Sequence, residues 1–428
     1  MISIAVAMVA GLLMTRIINL LKLPDVTAYL IAGILIGPVC LGRLGVPGLG
    51  FQTYDQIENL NILSNLALGF IAFAIGSEFM LPKLKTIGKQ ATVIAVVQSV
   101  LAAVFVAVAL SALHFIFPSK LSLPTAITLG AVASATAPAA TLMVIRQYKA
   151  KGPVTDILLP VVALDDAVGL VCFAIAQGVS KSLLGGSVNV VGIIVEPVLS
   201  IVGSLLLGSL LGWILAEGEK IFHSNRNRLI LTISAVTLTV ALSMLEIRIG
   251  SVTLSFSSLL VCMMLGTVFC NICPLAEDIM DREDKWTAPI YCLFFVLSGA
   301  ALQLDVFSDA AMLLVGLVYI VFRCLGKYYG SRWSAKATGC SPAIVKYLGI
   351  TLFPQAGVAL GMSLAAAQQL GKDGSIVRSI TLFSVLIYEL VGPMLTKIAL
   401  TKAGEIVPKS KEVENRRSNM LAAKQASK

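Results

Sequence analysis

Apolar residues run along this chain in blocks of seventeen or more, separated by short polar connections that hold most of the charge. Thirteen such segments lie near residues 2–21, 26–42, 59–82, 90–116, 122–146, 156–180, 190–216, 229–247, 251–270, 288–304, 309–335, 345–369 and 376–400. About 20 apolar residues suffice to cross a bilayer as a helix, and a spanning segment must satisfy its own backbone hydrogen bonds. The pattern therefore predicts an all-α polytopic membrane protein with about 13 transmembrane helices. The first segment, ISIAVAMVAGLLM, has no basic residue before Arg16, so it reads as a retained span and not as a cleaved signal.

The connections give an orientation. Alternate loops carry Lys22, then Lys83, Lys85 and Lys89, then Arg146, Lys149 and Lys151, and the pattern continues through Arg226, Arg282 and Arg332 to a basic tail. The opposite loops hold only Arg43, Lys120, Lys181, Arg248, Lys372 and Arg378. The side richer in Lys and Arg is expected to be cytoplasmic, with the N-terminus outside and the C-terminus inside. That demands an odd number of spans, which thirteen satisfies.

Composition narrows the class. Hydrophobic residues make up 57% and charged residues 13%, with a mean hydropathy of +0.91, values that a soluble domain of this length cannot have on its surface. The net charge of +9 sits in short loops beside apolar runs, which implies anionic lipid and not nucleic acid as the partner. The eight cysteines are scattered through apolar segments and read as small buried hydrophobes. Cys270 and Cys273 form a lone C-x-x-C pair that no second Cys or His pair answers, so it does not predict a metal site.

Thirteen spans divide into two oppositely oriented sets of six joined by a linker span, an inverted repeat. The fifth member of each set is interrupted near its middle. The fifth segment contains Ser134-Ala-Thr136-Ala-Pro138, and the twelfth contains Pro354-Gln355-Ala-Gly357. Proline and small polar residues at mid-depth release backbone groups that a regular helix would satisfy. Two breaks at corresponding positions predict crossed, broken helices and a binding site where the repeats meet.

The chemistry centres on the sixth segment, where Asp165 and Asp166 fall near mid-membrane. A carboxylate there costs about 2.5–3.5 kcal/mol on insertion scales. Neighbours on a helix point ~100° apart, so one can face a cavity while the other meets a countercharge. A desolvated carboxylate holds either a proton or a cation, but not both, and that mutual exclusion is the minimal chemistry of exchange. Arg323 and Lys327 lie one turn apart on one face of the eleventh segment and are the candidate countercharges. Arg323 cannot plausibly release its proton, whereas a buried Lys327 can; its competing reading is a chain that snorkels to the interface. Gln98 in the fourth segment and Glu389 in the thirteenth are supporting candidates, each also readable as an interhelical hydrogen bond. Glu78 reads as an interfacial charge near Lys83 and Lys85.

The LDDAVGL and SATAPAA stretches, the R-x-x-G-K of Arg323 to Lys327 and the ELVGPMLTKIALTKAGE ending resemble the bacterial sodium(potassium)/proton antiporters of the cation/proton antiporter superfamily, monovalent cation:proton antiporter-2 type. The resemblance covers roughly residues 1–405. It implies a homodimer in the cell membrane that exchanges a monovalent cation for protons by an elevator movement, with sodium first and potassium or lithium as alternatives. It implies a dimerisation domain from residues 1–82 and 229–304, a core domain from 90–180 and 309–401, a linker helix at 190–216 and a short cytoplasmic tail at 402–428. Asp166 resembles the main cation- and proton-binding carboxylate. Asp165 resembles the one that pairs with a basic residue of the eleventh span. Thr136, with Ser134 nearby, matches the broken-helix position that helps Asp166 hold the metal cation. Arg323 stands where that basic partner, a lysine in electrogenic members, is expected, with Lys327 as the alternative. No cofactor is implied beyond the transported ions, and no G-x-G-x-x-G unit in a βαβ context signals nucleotide control.

Three rivals remain on the residues alone. A sodium-coupled organic anion symporter of similar architecture needs a polar or aromatic cavity, which spans with 7% aromatic residues offer poorly. An intramembrane aspartyl protease needs two carboxylates converging from facing positions. A channel is ill served by a carboxylate shared with a basic partner.

Overall fold

The computed structural model describes residues 2–406 except 19, 21–24, 47–48, 78, 82–87, 138–140, 142–143, 146–147, 185–195, 250–251 and 304–308. Pro138, Glu78 and nearly all of the expected tail lie outside the described residues.

Each of the thirteen apolar segments holds helix. The helices are α1 (Ile2–Ile18), α2 (Asp25–Ile36), α3 (Tyr54–Glu58), α4 (Asn61–Ser77), α5 (Lys89–Ile116), α6 (Leu123–Val132), α7 (Pro153–Leu184), α8 (Glu196–Ile221), α9 (Asn225–Ser243), α10 (Ser258–Ile272), α11 (Ala276–Ala300), α12 (Ala310–Ala337), α13 (Pro342–Thr351), α14 (Gly357–Gln369) and α15 (Gly371–Lys402). Among the described residues, six stretches are long and apolar enough to cross a membrane unaided: 25–44, 89–116, 153–184, 198–221, 310–337 and 371–402. The fold is that of a multi-pass helical membrane protein.

Two boundaries differ from the pattern reading. The ninth segment yields its first residues to an antiparallel hairpin, β1 (Glu246–Ile249) and β2 (Val252–Ser255), with Ile247 opposite Leu254 and Arg248 opposite Thr253. Ile247, Ile249, Val252 and Thr253 are β-branched, which favours extended chain over helix. The tenth span begins twelve residues earlier than expected, at Ala276, because charges that resemble a loop form helical pairs instead. Arg282 donates Nε to Asp278 at 2.9 Å, and Lys285 donates to Asp281 at 2.5 Å, both at i,i+4 spacing.

Packing falls into two interlocked groups. One builds on α5 against α12, with α6, α7, α13, α14 and α15 around them; the other builds on α10 against α4 and α8, with α1 and α2 against α11. Small residues permit the closest approaches. On α12, Gly326 and Gly330 sit four apart, and a Cβ on either would meet α5 backbone, Ala102 Cα at 2.5 Å and Gln98 Cα at 2.6 Å. This small-xxx-small stripe sets α12 on α5 with no side chain between them, so the polar groups flanking the stripe must meet.

The end of α15 is tied back to the start of α7. The Glu405 carboxylate accepts from the Val154 N–H (2.6 Å), the Thr155 N–H (2.9 Å) and the Thr155 hydroxyl (2.6 Å). Free N–H groups at a helix start carry positive partial charge, so a buried carboxylate is a natural cap there. At the opposite end of the bundle, Asp373 in the first turn of α15 accepts from Ser122 (2.7 Å) and Thr125 (3.0 Å) at the start of α6.

Candidate functional site

Both interruptions occur where the sequence places them. α6 stops at Val132 and α13 at Thr351, and residues 133–137 and 352–356 are not helical. The residues explain it: Pro354 has no N–H for the helix ladder, and a proline at 138 disfavours helical geometry in the residue before it. The two unwound stretches cross in contact. The Ala137 N–H donates to Pro354 O at 2.9 Å, and Gln355 Nε2 reaches the last carbonyl of α6, Val132 O, at 2.9 Å. Tyr319 on α12 holds that glutamine in turn, accepting from its Nε2 at 3.0 Å.

Each helix that stops at mid-depth leaves unsatisfied carbonyls and roughly half a negative charge at its C-terminus. Arg323 meets both ends. It donates Nε to Ala133 O (3.0 Å), Nη2 to Ala135 O (2.6 Å) and Nη1 to Phe353 O (2.6 Å), with Pro354 O at 3.4 Å. Its guanidinium stacks on Tyr388, 4.5 Å from the ring centroid. Five fixed donors and a permanent charge suit arginine to this place.

The expected pairing of Arg323 with Asp165 is therefore not what the structure holds. Lys327 is the partner. Its Nζ lies 2.8 Å from Asp165 Oδ2, with both side chains fully buried, so it does not snorkel. The same ammonium donates to Thr136 Oγ1 at 2.9 Å and to Ser134 O. One turn of helix separates the two basic side chains. That turn decides the outcome, since the glycine stripe holds Lys327 beside α5 while Arg323 reaches the crossing.

Asp165 is filled by donors. Oδ1 accepts from Gln98 Nε2 (2.7 Å) and Ser99 Oγ; Oδ2 accepts from Lys327 and Thr136 Oγ1. Gln98 makes an interhelical hydrogen bond, and its partner is Asp165. Ser99 is a residue that the sequence reading passed over, although its position beside a buried glutamine was a usable signal. Thr136 engages Asp165 and Lys327, which differs from the expected grouping with Asp166. Asp166 is 2% exposed on the next position of α7. Ser134 Oγ donates to Ala131 O (2.5 Å) and lies beside Gly169, one turn along α7 from Asp166. Glu389 lies apart from this cluster and accepts from Thr27 on α2 at 3.2 Å.

Arg323→Lys is expected to lower thermal stability in detergent by about 3 kcal/mol, because an ammonium cannot span carbonyls on both broken helices. Hydrogen bonds to charged groups are worth ~1.5–3 kcal/mol each. A melting temperature equal to the unsubstituted protein would show that the carbonyl cluster does not depend on the guanidinium fork.

Comparison with known proteins agrees with this architecture. The chain is 25% identical over 236 residues to the high-affinity Na(+)/H(+) antiporter NhaS3 of Synechocystis sp., covering 49% of this chain and 50% of that protein. The chain thus spans about half the length of the curated relative it matches. The solved structure of the sodium proton antiporter MjNhaP1 from Methanocaldococcus jannaschii at pH 8 superimposes with a TM-score of 0.69, 20% identity and coverage of 93% of this chain and 97% of that one. An electron-microscopy structure of the same antiporter gives a TM-score of 0.65 at 18% identity, covering 95% and 98%. These likenesses show the fold. The family model for the transmembrane region of sodium/hydrogen exchangers matches residues 4–402, nearly the whole chain, and the protein belongs to that family.

Proposed function

We propose that this protein exchanges a monovalent cation, sodium first, for protons across a membrane, with Asp166 as the group for which cation and proton compete. The observation that carries the reading is the pair of adjacent buried carboxylates on α7, Asp165 and Asp166, with Lys327 bound to the first. The guanidinium of Arg323 is committed to carbonyl oxygens of the crossing. In this reading Asp166 takes the positive charge of a monovalent cation and of a proton in turn. Asp165 serves as the fixed member, with its charge met by Lys327, Gln98, Ser99 and Thr136. The Ser134 hydroxyl, beside Gly169 one turn along α7 from Asp166, supplies an oxygen ligand of the kind that hard cations prefer. The cation and proton are cargo, so the reading needs no cofactor.

The two packing groups support a division of labour. In this reading α5–α7 and α12–α15 form a moving core, α1–α4 and α9–α11 form a scaffold that pairs with a second copy, and α8 links them. The core shifts against the scaffold, turning the crossing toward one side and then the other. The excess of Lys and Arg in alternate loops supports an external N-terminus and a cytoplasmic C-terminus. Membership of a transporter family removes the protease reading.

The test is reconstitution into liposomes with an imposed proton gradient and an internal pH dye. Addition of sodium is expected to collapse the gradient, lithium and potassium less so, and choline not at all. If no metal cation moves protons at any pH where the protein stays folded, exchange is not its activity.

A further inference from the structure

Glu389 is a mid-span carboxylate that the ion cluster does not use. It is 1% exposed; among the described residues Oε1 has no hydrogen-bond partner, and Oε2 has only the Thr27 hydroxyl at 3.2 Å. Its depth is that of the crossing, since one turn along α15 Gly392 is pressed against Pro354. α2 reaches the same place, where Val26, next to Thr27, packs on Ala137 and Ala356 of the two unwound stretches. Glu389 therefore sits on the seam between α15 and α2, and its single partner belongs to the opposite packing group.

No cation faces it. On α12, Arg323 and Cys324 turn to Tyr388, on the adjacent face of α15. α6 and α14 contribute no charged residue, and the one lysine of α13, Lys346, lies over Tyr347. On α2, Asp25 and Tyr29 are two residues to either side of Thr27, and Tyr29 turns toward Gly11 of α1. On α15 itself Asp373 is engaged by α6, and Lys397 lies over Tyr148. A carboxylate buried without a cation does not stay charged; it takes up a proton.

We infer that Glu389 is a second proton-carrying carboxylate of the exchange cycle, loaded while the α15–α2 seam is closed on Thr27 and unloaded to water when that seam slides. The step is a simple one: the O–H bond of the carboxylic acid breaks, the proton goes to water, and the reverse occurs on the other side. The inference rests on the proposed movement of core against scaffold, which alone would separate Glu389 from Thr27. It adds to the Asp166 site a proton that is not displaced by direct competition with the cation.

The test measures the proton-to-cation ratio in liposomes, from the cation gradient that halts exchange at a set proton gradient and membrane potential. Glu389→Gln is expected to keep exchange with one proton fewer per cation. An unchanged ratio with normal exchange overturns the inference. Should Glu389→Gln give no exchange, the unsubstituted protein decides, through labelling of Glu389 by a hydrophobic carbodiimide read by peptide mass spectrometry. Labelling that falls as pH rises through the active range supports the inference; labelling that is absent, or independent of pH, overturns it. Asp166→Asn is run alongside. If that variant still exchanges, the Asp166 reading fails, while the Glu389 ratio remains readable.

Discussion

Asp166→Asn is expected to abolish cation-dependent proton flux, by about 100-fold or more, while the protein still folds and inserts. A hundredfold loss corresponds to ~2.7 kcal/mol at 1.36 kcal/mol per decade. An amide keeps the shape and the oxygen but neither binds a proton at working pH nor balances a cation's charge. Folding should survive, because the fixed electrostatics of the crossing belong to Asp165, Lys327 and Arg323. Flux is read from dye-loaded liposomes, and integrity from the melting curve in detergent. Retention of even a tenth of the normal flux in Asp166→Asn would move the exchange site elsewhere.

Lys327→Met should act the other way, on stability first. It leaves Asp165 fully buried with hydrogen bonds but no countercharge. Removing one partner of a buried ion pair costs about 3–5 kcal/mol, because the remaining charge is stranded. The added change Asp165→Asn removes that charge and should recover most of the loss, since Gln98, Ser99 and Thr136 can still hydrogen-bond to an amide. Thermal unfolding of the two single variants and the double variant gives the coupling directly. Additive losses would mean that the 2.8 Å contact contributes nothing that depends on both charges.

Much of this was legible in the chain. The aspartate pair announced itself because charge at mid-membrane needs a reason. The two breaks were visible as Pro and small polar residues at matching places, and Arg323 and Lys327 as basic side chains on one helix face. What the chain did not declare was which basic residue meets which partner. That depends on the depth to which Gly326 and Gly330 let α12 settle on α5, and no local pattern reports an interhelical register. Ser99 carried a local hint in its place beside Gln98, but its partner Asp165 is 66 residues away, and that pairing has no local sign. The helical pairs Asp278–Arg282 and Asp281–Lys285 were legible at i,i+4 spacing but were outweighed by the low hydropathy of that stretch. The Glu405 cap joins groups about 250 positions apart, and nothing in either short stretch hints at the other.

That cap has a mechanical consequence. Because Glu405 grips the first turn of α7, the segment that follows α15 and the root of the aspartate-bearing helix are joined directly by hydrogen bonds. Torque applied to a soluble module fused after Ile406 would pass into the axis of α7 without first crossing a loop. Such a fusion is a handle on the transport site, and a chain cut before Glu405 loses the handle together with the anchor of α7.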